Sequence, residues 1–235
     1  EILWGKLIHD ELATPDTWEV AISACKNSEE KKREFSRLLK ENKLGDLAFI
    51  RNLRNFNANG VSRSLVRETF TKKNWNRILP FQFVTAARIN PQYEDKLEEA
   101  MLKCLNGFNK IPLKVKLLVD VSGSMDWELS SRGETKRVDV AAGLGILLRE
   151  ICEDIEIYTF SNSIVQVPSR RGFALRDAVI NSQRHGGTYM WKAISEVGKE
   201  HSDLMIVITD EQSHDSGNVK MANSNLVTII NVADN

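Results

Sequence analysis

Three short stretches of this 235-residue chain carry oxygen donors at spacings that suit a hard metal ion. Asp120-Val121-Ser122-Gly123-Ser124-Met125 sets one carboxylate and two hydroxyls at alternate positions, a DxSxS pattern. Gly186-Gly187-Thr188 adds a third hydroxyl in a loop that opens a helix, and Thr209-Asp210 adds a second carboxylate at the end of an apolar run. Two acids and three hydroxyls, with no thiolate or imidazole, form a ligand set for Mg²⁺, which takes about six oxygens and keeps some waters. With so few acids the ion stays electron-poor and can accept an anionic oxygen from a partner. The plainer reading is that Ser122 and Ser124 cap the following segment while Asp120 is a turn acid. Asp126 and Glu211 read as bystanders that could reach a metal-bound water. His185 reads as structural, and with no general base in view a metal hydrolase is not expected.

These donors need a scaffold that gathers them, and the second half of the chain supplies one. Residues 114–121 (KVKLLVDV), 155–160 (IEIYTF), 204–209 (LMIVIT) and 226–232 are β-branched or leucine-rich runs of the kind buried on both faces of a parallel sheet. Ile164–Val167 can pair with the second run through Ser161-Asn162. Between them lie helical patterns over 135–153, 173–182 and 189–199. Strands alternating with helices predict a doubly wound α/β sheet, whose ligands bind beyond the carboxyl ends of the strands. All three donor stretches fall there.

The first half reads as helices in pairs. Thr14-Pro15 marks a start, followed by Trp18, Ala21, Ile22 and Cys25 on one face. Asn27 with Glu30 resembles a capping arrangement for a second helix, with Phe35, Leu38 and Leu39 facing one way. Asp46 opens a third helix that runs to Asn59-Gly60, Ser62 caps a fourth, Pro80 begins a fifth and Pro91 a sixth. Pairs starting near 16, 46 and 80 suggest a solenoid of helical hairpins. Trp4, Trp18, Phe35, Phe56 and Phe70 are expected in its core. Ile2–Ile8 looks like the last helix of a preceding repeat, and a chain opening at Glu1 suggests a fragment with more repeats upstream.

The zero net charge is a cancellation, since residues 1–110 carry +4 and residues 111–235 carry −4. Between Leu47 and Asn90 eight cations face the single acid Glu68. Arg51, Arg54, Arg63, Arg67, Lys72, Lys73 and Arg77, with Trp75 inside the basic loop, suit nucleic acid: guanidinium and indole planes for unstacked bases, lysines for phosphate. The competing reading pairs some of these arginines with acids of the second half. Apolar residues at 42% and charged ones at 27% exclude a disordered chain. Apolar runs of about six residues are too short to span a bilayer. Three scattered cysteines point to a reducing, cytoplasmic setting rather than a disulfide framework.

The metal-ligand pattern resembles the metal-ion-dependent adhesion site of a von Willebrand factor A domain, matched at Asp120, Ser122, Ser124, Thr188 and Asp210. The whole chain from about Leu12 to Val232, with LAFIRNLRNF, RILPFQFVTAARI and LLVDVSGSM in that order, resembles the TROVE module of the Ro autoantigen family. The resemblance implies HEAT-like helical repeats over residues 1–110 and a von Willebrand factor A domain over 111–235. It implies a ring that binds noncoding RNA, with Y RNAs on the outer surface and single-stranded 3′ ends of misfolded RNAs in the central hole. Bacterial members are linked to RNA repair or to an exoribonuclease. The expectation is a noncatalytic ribonucleoprotein scaffold in RNA quality control. The alternative is a Mg²⁺-dependent module that captures an acidic residue of a protein partner.

Overall fold

The structure is a computed structural model and describes Trp4, Ile8 and residues 16–131 and 133–233. The expected cap at Thr14-Pro15 lies outside the described residues, as does most of the Ile2–Ile8 segment. Two compact units divide between Asn74 and Trp75.

In the first unit α1 (Trp18–Ser23) begins at Thr17, and α2 (Ser28–Lys40) begins at Asn27, whose side chain accepts from the Glu30 amide at 2.9 Å. The Glu30 carboxylate reaches back to the Lys26 amide at 2.7 Å, so the expected capping arrangement forms. The third helix divides into α3 (Asp46–Arg51) and α4 (Leu53–Ala58). Asn52 causes the break: it is buried, and its side-chain amide donates to the Ala48 carbonyl at 2.8 Å, competing with the helix ladder. Helix α5 (Arg63–Phe70) follows. Ser62 sits at its N-cap position without a capping bond, its hydroxyl engaged instead with that of Ser64. Phe35, Phe49, Phe56 and Phe70 interlock with ring centroids 4.9–5.7 Å apart and form the core of this unit. Trp18 is half-buried and Trp4 is exposed, so the expected core holds for the phenylalanines and fails for Trp4.

The second unit opens with α6 (Pro80–Ile89) and α7 (Glu94–Leu105), the latter preceded by a 3-10 turn at Pro91–Tyr93. The α/β elements follow: β1 (Ile111–Asp120), α8 (Arg137–Ile151), β2 (Cys152–Phe160), β3 (Ile164–Gln166), α9 (Gly172–Ile180), α10 (Met190–Val197), β4 (Ser202–Thr209) and β5 (Ser224–Asn231). The sheet order is β3-β2-β1-β4-β5, parallel except for β3, which forms a hairpin with β2. Alternation along β1 sorts its side chains between two layers. Leu118 joins Phe160, Met205 and Val207 under Ala193 and Ile194 of α10, whereas Leu117 faces Gly145 of α8. Lys116, a charge within an apolar strand, is buried because its ammonium donates to the Val197 and Glu200 carbonyls at 2.8 and 3.0 Å, closing the C-terminal end of α10.

Helices α6 and α7 pack on α8 and α9 and so belong with the sheet, whereas composition had placed them with the preceding helices. Gly143 permits the closest approach, because a Cβ there would lie 2.5 Å from the Phe81 backbone nitrogen. Asp139, fully buried on α8, accepts from Arg88 Nη2 at 2.8 Å and Thr85 Oγ1 at 3.2 Å, both on α6. Glu98 of α7 accepts from the Phe173 amide at 2.7 Å, capping α9 from another helix. Gly172 has φ +56 and lies against that carboxylate, so both its backbone and its missing side chain are required. The three cysteines are unpaired, and burial pushes the Cys104 thiol up to about 11.

Gly143→Ala tests this packing by sign. Helix propensity alone would stabilise by about 1 kcal/mol, whereas forcing α6 off α8 costs about 1–3 kcal/mol. A fall in Tm is expected, and a rise would show that α6 is not seated on Gly143. Glu150, nearly buried at the end of α8, takes two hydrogen bonds from Arg171, which holds its carboxyl below the usual carboxylate value. A depressed folded-state value gives stability that is present above the ordinary range and lost as pH falls through the folded value. Glu150→Gln should therefore cost about 1 kcal/mol near neutrality, Arg171 being largely exposed. Denaturant melts should show that gap closing below about pH 4.

Candidate metal centre and basic surface

Strand β1 lies between β2 and β4. The chain runs from β1 to β2 and β3 on one side and then crosses from β3 to β4 on the other, so the carboxyl end of β1 opens a crevice at a topological switch point. Asp120 ends β1 with its carboxylate fully buried. One oxygen accepts from the Ser122 amide at 2.8 Å and the other from the Thr209 hydroxyl at 2.7 Å, which ties the end of β4 to the end of β1. The Ser122 and Ser124 hydroxyls are 3.3 Å apart. Gly123 donates its amide to the Gly186 carbonyl at 3.1 Å, joining the DxSxS loop to the Gly186-Gly187-Thr188 loop.

That second loop is clamped from the end of β2. The Ser161 hydroxyl accepts from the Gly186 amide at 2.8 Å and donates to the Gly187 carbonyl at 2.9 Å, while Asn162 Oδ1 accepts from the Gly187 amide at 2.8 Å. Asn162 also fills the space a Cβ on Gly186 would need, within 2.3 Å. Thr188 is buried; its amide donates to His214 Nδ1 at 2.9 Å and its carbonyl accepts the His214 amide at 2.8 Å. Asp210, also buried, accepts from Arg137 Nη1 at 2.8 Å.

The three stretches are thus gathered at one sheet edge. The residues that hold them were not legible as ligands: Thr209, Arg137, Ser161, Asn162 and His214. Ser161-Asn162, polar residues directly after a strand, gave a usable signal, whereas Arg137 gave none. Asp126 pairs with Lys136 at 2.8 Å, Glu211 is exposed, and exposed His185 bonds the Ile180 carbonyl at 2.8 Å.

The donor chemistry fits a divalent cation. Burial raises the Asp120 pKa, and the Asp210 charge adds to that, against the hydrogen bonds from Ser122 and Thr209. Among the described residues no cationic side chain pairs with Asp120, so its ionised form lacks a counter-charge that a metal would supply. No group of three or more His, Cys, Asp or Glu side chains is placed to hold a metal among the described residues, so hydroxyls must complete any site here.

The basic block divides. Arg51, Arg54, Arg63 and Arg77 are exposed and Arg67 is half-buried; Lys72 is exposed and pairs with Glu68 at 2.6 Å. Lys73 and Trp75 leave the set of candidate RNA contacts. The Lys73 side chain is 2% exposed, donates to Asn42 and the Leu44 carbonyl, and burial lowers its pKa. Trp75 is 5% exposed and packs edge-on against Phe83, because a large indole is worth more in the core than in solvent. Arg88 realises the salt-bridge reading through Asp139.

A helical segment joined to an α/β unit with an acid-and-hydroxyl crater at its switch point defines the class of this chain. Among solved structures it has the fold of the Ro (RSR) protein of Deinococcus radiodurans, with a TM-score of 0.59 and 18% identity over 92% of this chain and 48% of that one. The chain spans about half the length of that protein. An aerotolerance-related membrane protein from Bacteroides fragilis aligns with 51% of this chain and 67% of its own at 19% identity and a TM-score of 0.40. No family model and no curated protein sequence matches. Among the described residues no helix is long and apolar enough to cross a membrane.

Thr209→Val should leave one buried oxygen of Asp120 unsatisfied and cost about 1–3 kcal/mol in a thermal or urea melt. Unchanged stability would mean that the strand ends are held by something other than this bond.

Proposed function

We propose that this chain is part of a Ro-type RNA-binding scaffold that acts in RNA quality control rather than as an enzyme. On this reading the helical segment is a run of HEAT-like repeats of a TROVE module. The α/β unit is then a von Willebrand factor A domain whose adhesion site is Asp120, Ser122, Ser124, Thr188 and Asp210. Those five residues would hold Mg²⁺, which would supply a hard positive centre open to an anionic oxygen. The RNA-binding residues become Arg51, Arg54, Arg63, Arg67, Lys72 and Arg77. Y-like RNA or the single-stranded 3′ end of a misfolded RNA is the ligand, and an exoribonuclease or repair protein is the kind of partner such a scaffold serves, in the cytoplasm.

The observation that carries this reading is the Ro-type fold over nine-tenths of the chain, together with exposed arginines on α3, α4 and α5. Arginine-dominated binding has a salt signature. Six cations meeting single-stranded phosphates give a slope of about −4 in log affinity against log salt.

Filter binding of a free-3′-ended RNA and a blunt duplex, with Mg²⁺ or chelator, tests it. The free-ended RNA should bind tighter, with that slope, and keep most of its affinity under chelation. Arg51→Glu, Arg54→Glu and Arg63→Glu together should weaken it at least tenfold. No RNA bound at low salt would overturn the reading. Capture of an acidic peptide that chelation abolishes would replace it with the Mg²⁺-dependent protein-interaction module.

A further inference from the structure

Two aromatic rings stand at the crater and serve no core. Trp127, three residues after Ser124, is 61% exposed, and Tyr189, directly after Thr188, is 41% exposed. Trp127 is fixed from both sides, its amide donating to the Ser124 carbonyl at 3.2 Å and its carbonyl accepting the Arg137 amide at 3.0 Å. The Arg137 guanidinium lies 5.5 Å from the Trp127 ring centroid while bonding Asp210. One side chain therefore touches both the exposed indole and the buried acid. On the other side Tyr189 lies beside His214, the rings tilted with centroids 6.0 Å apart, and His214 is bonded to Thr188.

Charge decides the sign of the ligand. The buried acids Asp120 and Asp210 are half-neutralised by Arg137, so a divalent ion beside them leaves this buried set of groups net positive. A ligand must then bring negative charge, and next to it an exposed indole backed by a guanidinium offers a flat face. An acidic side chain satisfies the first demand and leaves the second unused. A nucleotide satisfies both, with its phosphate at the metal and its base on the ring.

We propose that Trp127 and Arg137 form a nucleotide subsite on the crater, with Trp127 as the base platform and Arg137 as the group that couples it to the metal-bound phosphate. This rests on the Mg²⁺ reading of the crater. The subsite takes one nucleotide, so it adds to the contacts of the arginine-bearing helices and does not replace them.

The test uses Mn²⁺ as a spectroscopic stand-in for Mg²⁺, read by electron paramagnetic resonance, and calorimetry with four probes: a nucleoside 5′-monophosphate, ribose 5-phosphate, a short single-stranded oligonucleotide with a 5′-phosphate, and a glutamate-containing peptide. With metal present the monophosphate should bind roughly tenfold tighter than ribose 5-phosphate, the scale of one base stacked on an aromatic ring. Trp127→Ala should erase that ratio and leave Mn²⁺ affinity unchanged. Arg137→Gln should weaken both phosphate ligands. If the oligonucleotide gains over the monophosphate, the source is a strand end; equal binding assigns a free nucleotide. A ratio near one in the wild type, a ratio that survives Trp127→Ala, or preference for the peptide overturns the subsite while sparing the metal. Absence of Mn²⁺ binding in a folded sample removes the metal and the subsite together.

Discussion

The carboxylate of Asp120 is held between an amide two residues on and a hydroxyl 89 residues on. That second bond requires β1 and β4 to lie side by side, parallel and in one register, with both carboxyl ends at the same level. The energetic stake is large for so small a contact, because a fully buried ionised oxygen without partners is among the costliest features a fold can contain. Everything at the crater follows from this placement. Ser122 and Ser124 are positioned by the turn that Asp120 starts, and Asp210 by the strand that Thr209 ends. The glycine loop is stitched to both through Gly186 and Ser161.

The crater combines rigid backing with an electrostatic deficit. The loops are bonded to one another and to neighbouring strand ends, so the three stretches meet at one edge of the sheet. Asp210 has its own guanidinium, whereas among the described residues Asp120 has hydroxyl and amide donors only, and burial raises its pKa. This asymmetry separates two buried acids that the sequence presents as equivalent. It also gives Arg137 a role that spacing could not reveal, since it begins a helix 73 residues before the acid it neutralises.

Much of the architecture was legible because its signals are local. Strand hydrophobicity, Asn27 with Glu30, and Pro80 at a helix start fix elements through neighbours in sequence. The gathering of Asp120, Thr188 and Asp210 was legible through a rule about sheet edges. What failed depended on distant partners. Trp75 and Lys73 looked like a basic aromatic loop until Phe83 and the Leu44 carbonyl were found to bury them. Asn52 looked like one more helix residue until its amide took the Ala48 carbonyl. The charge shift near residue 110 suggested a boundary there, but Gly143, Asp139 and Glu98 hold α6 and α7 to the sheet unit, and none of the three announces its partner in sequence.

The docking of α6 on α8 has a bearing on modularity. Asp139 sits in a dry environment and its guanidinium partner comes from upstream of the first strand. An α/β unit severed at its first strand and transplanted elsewhere would leave Asp139 without its guanidinium partner and the Gly143 groove bare. The inheritable cassette is therefore longer than the sheet it encloses: two helices travel with it, and shuffling of such units among proteins is expected to respect the junction at Trp75.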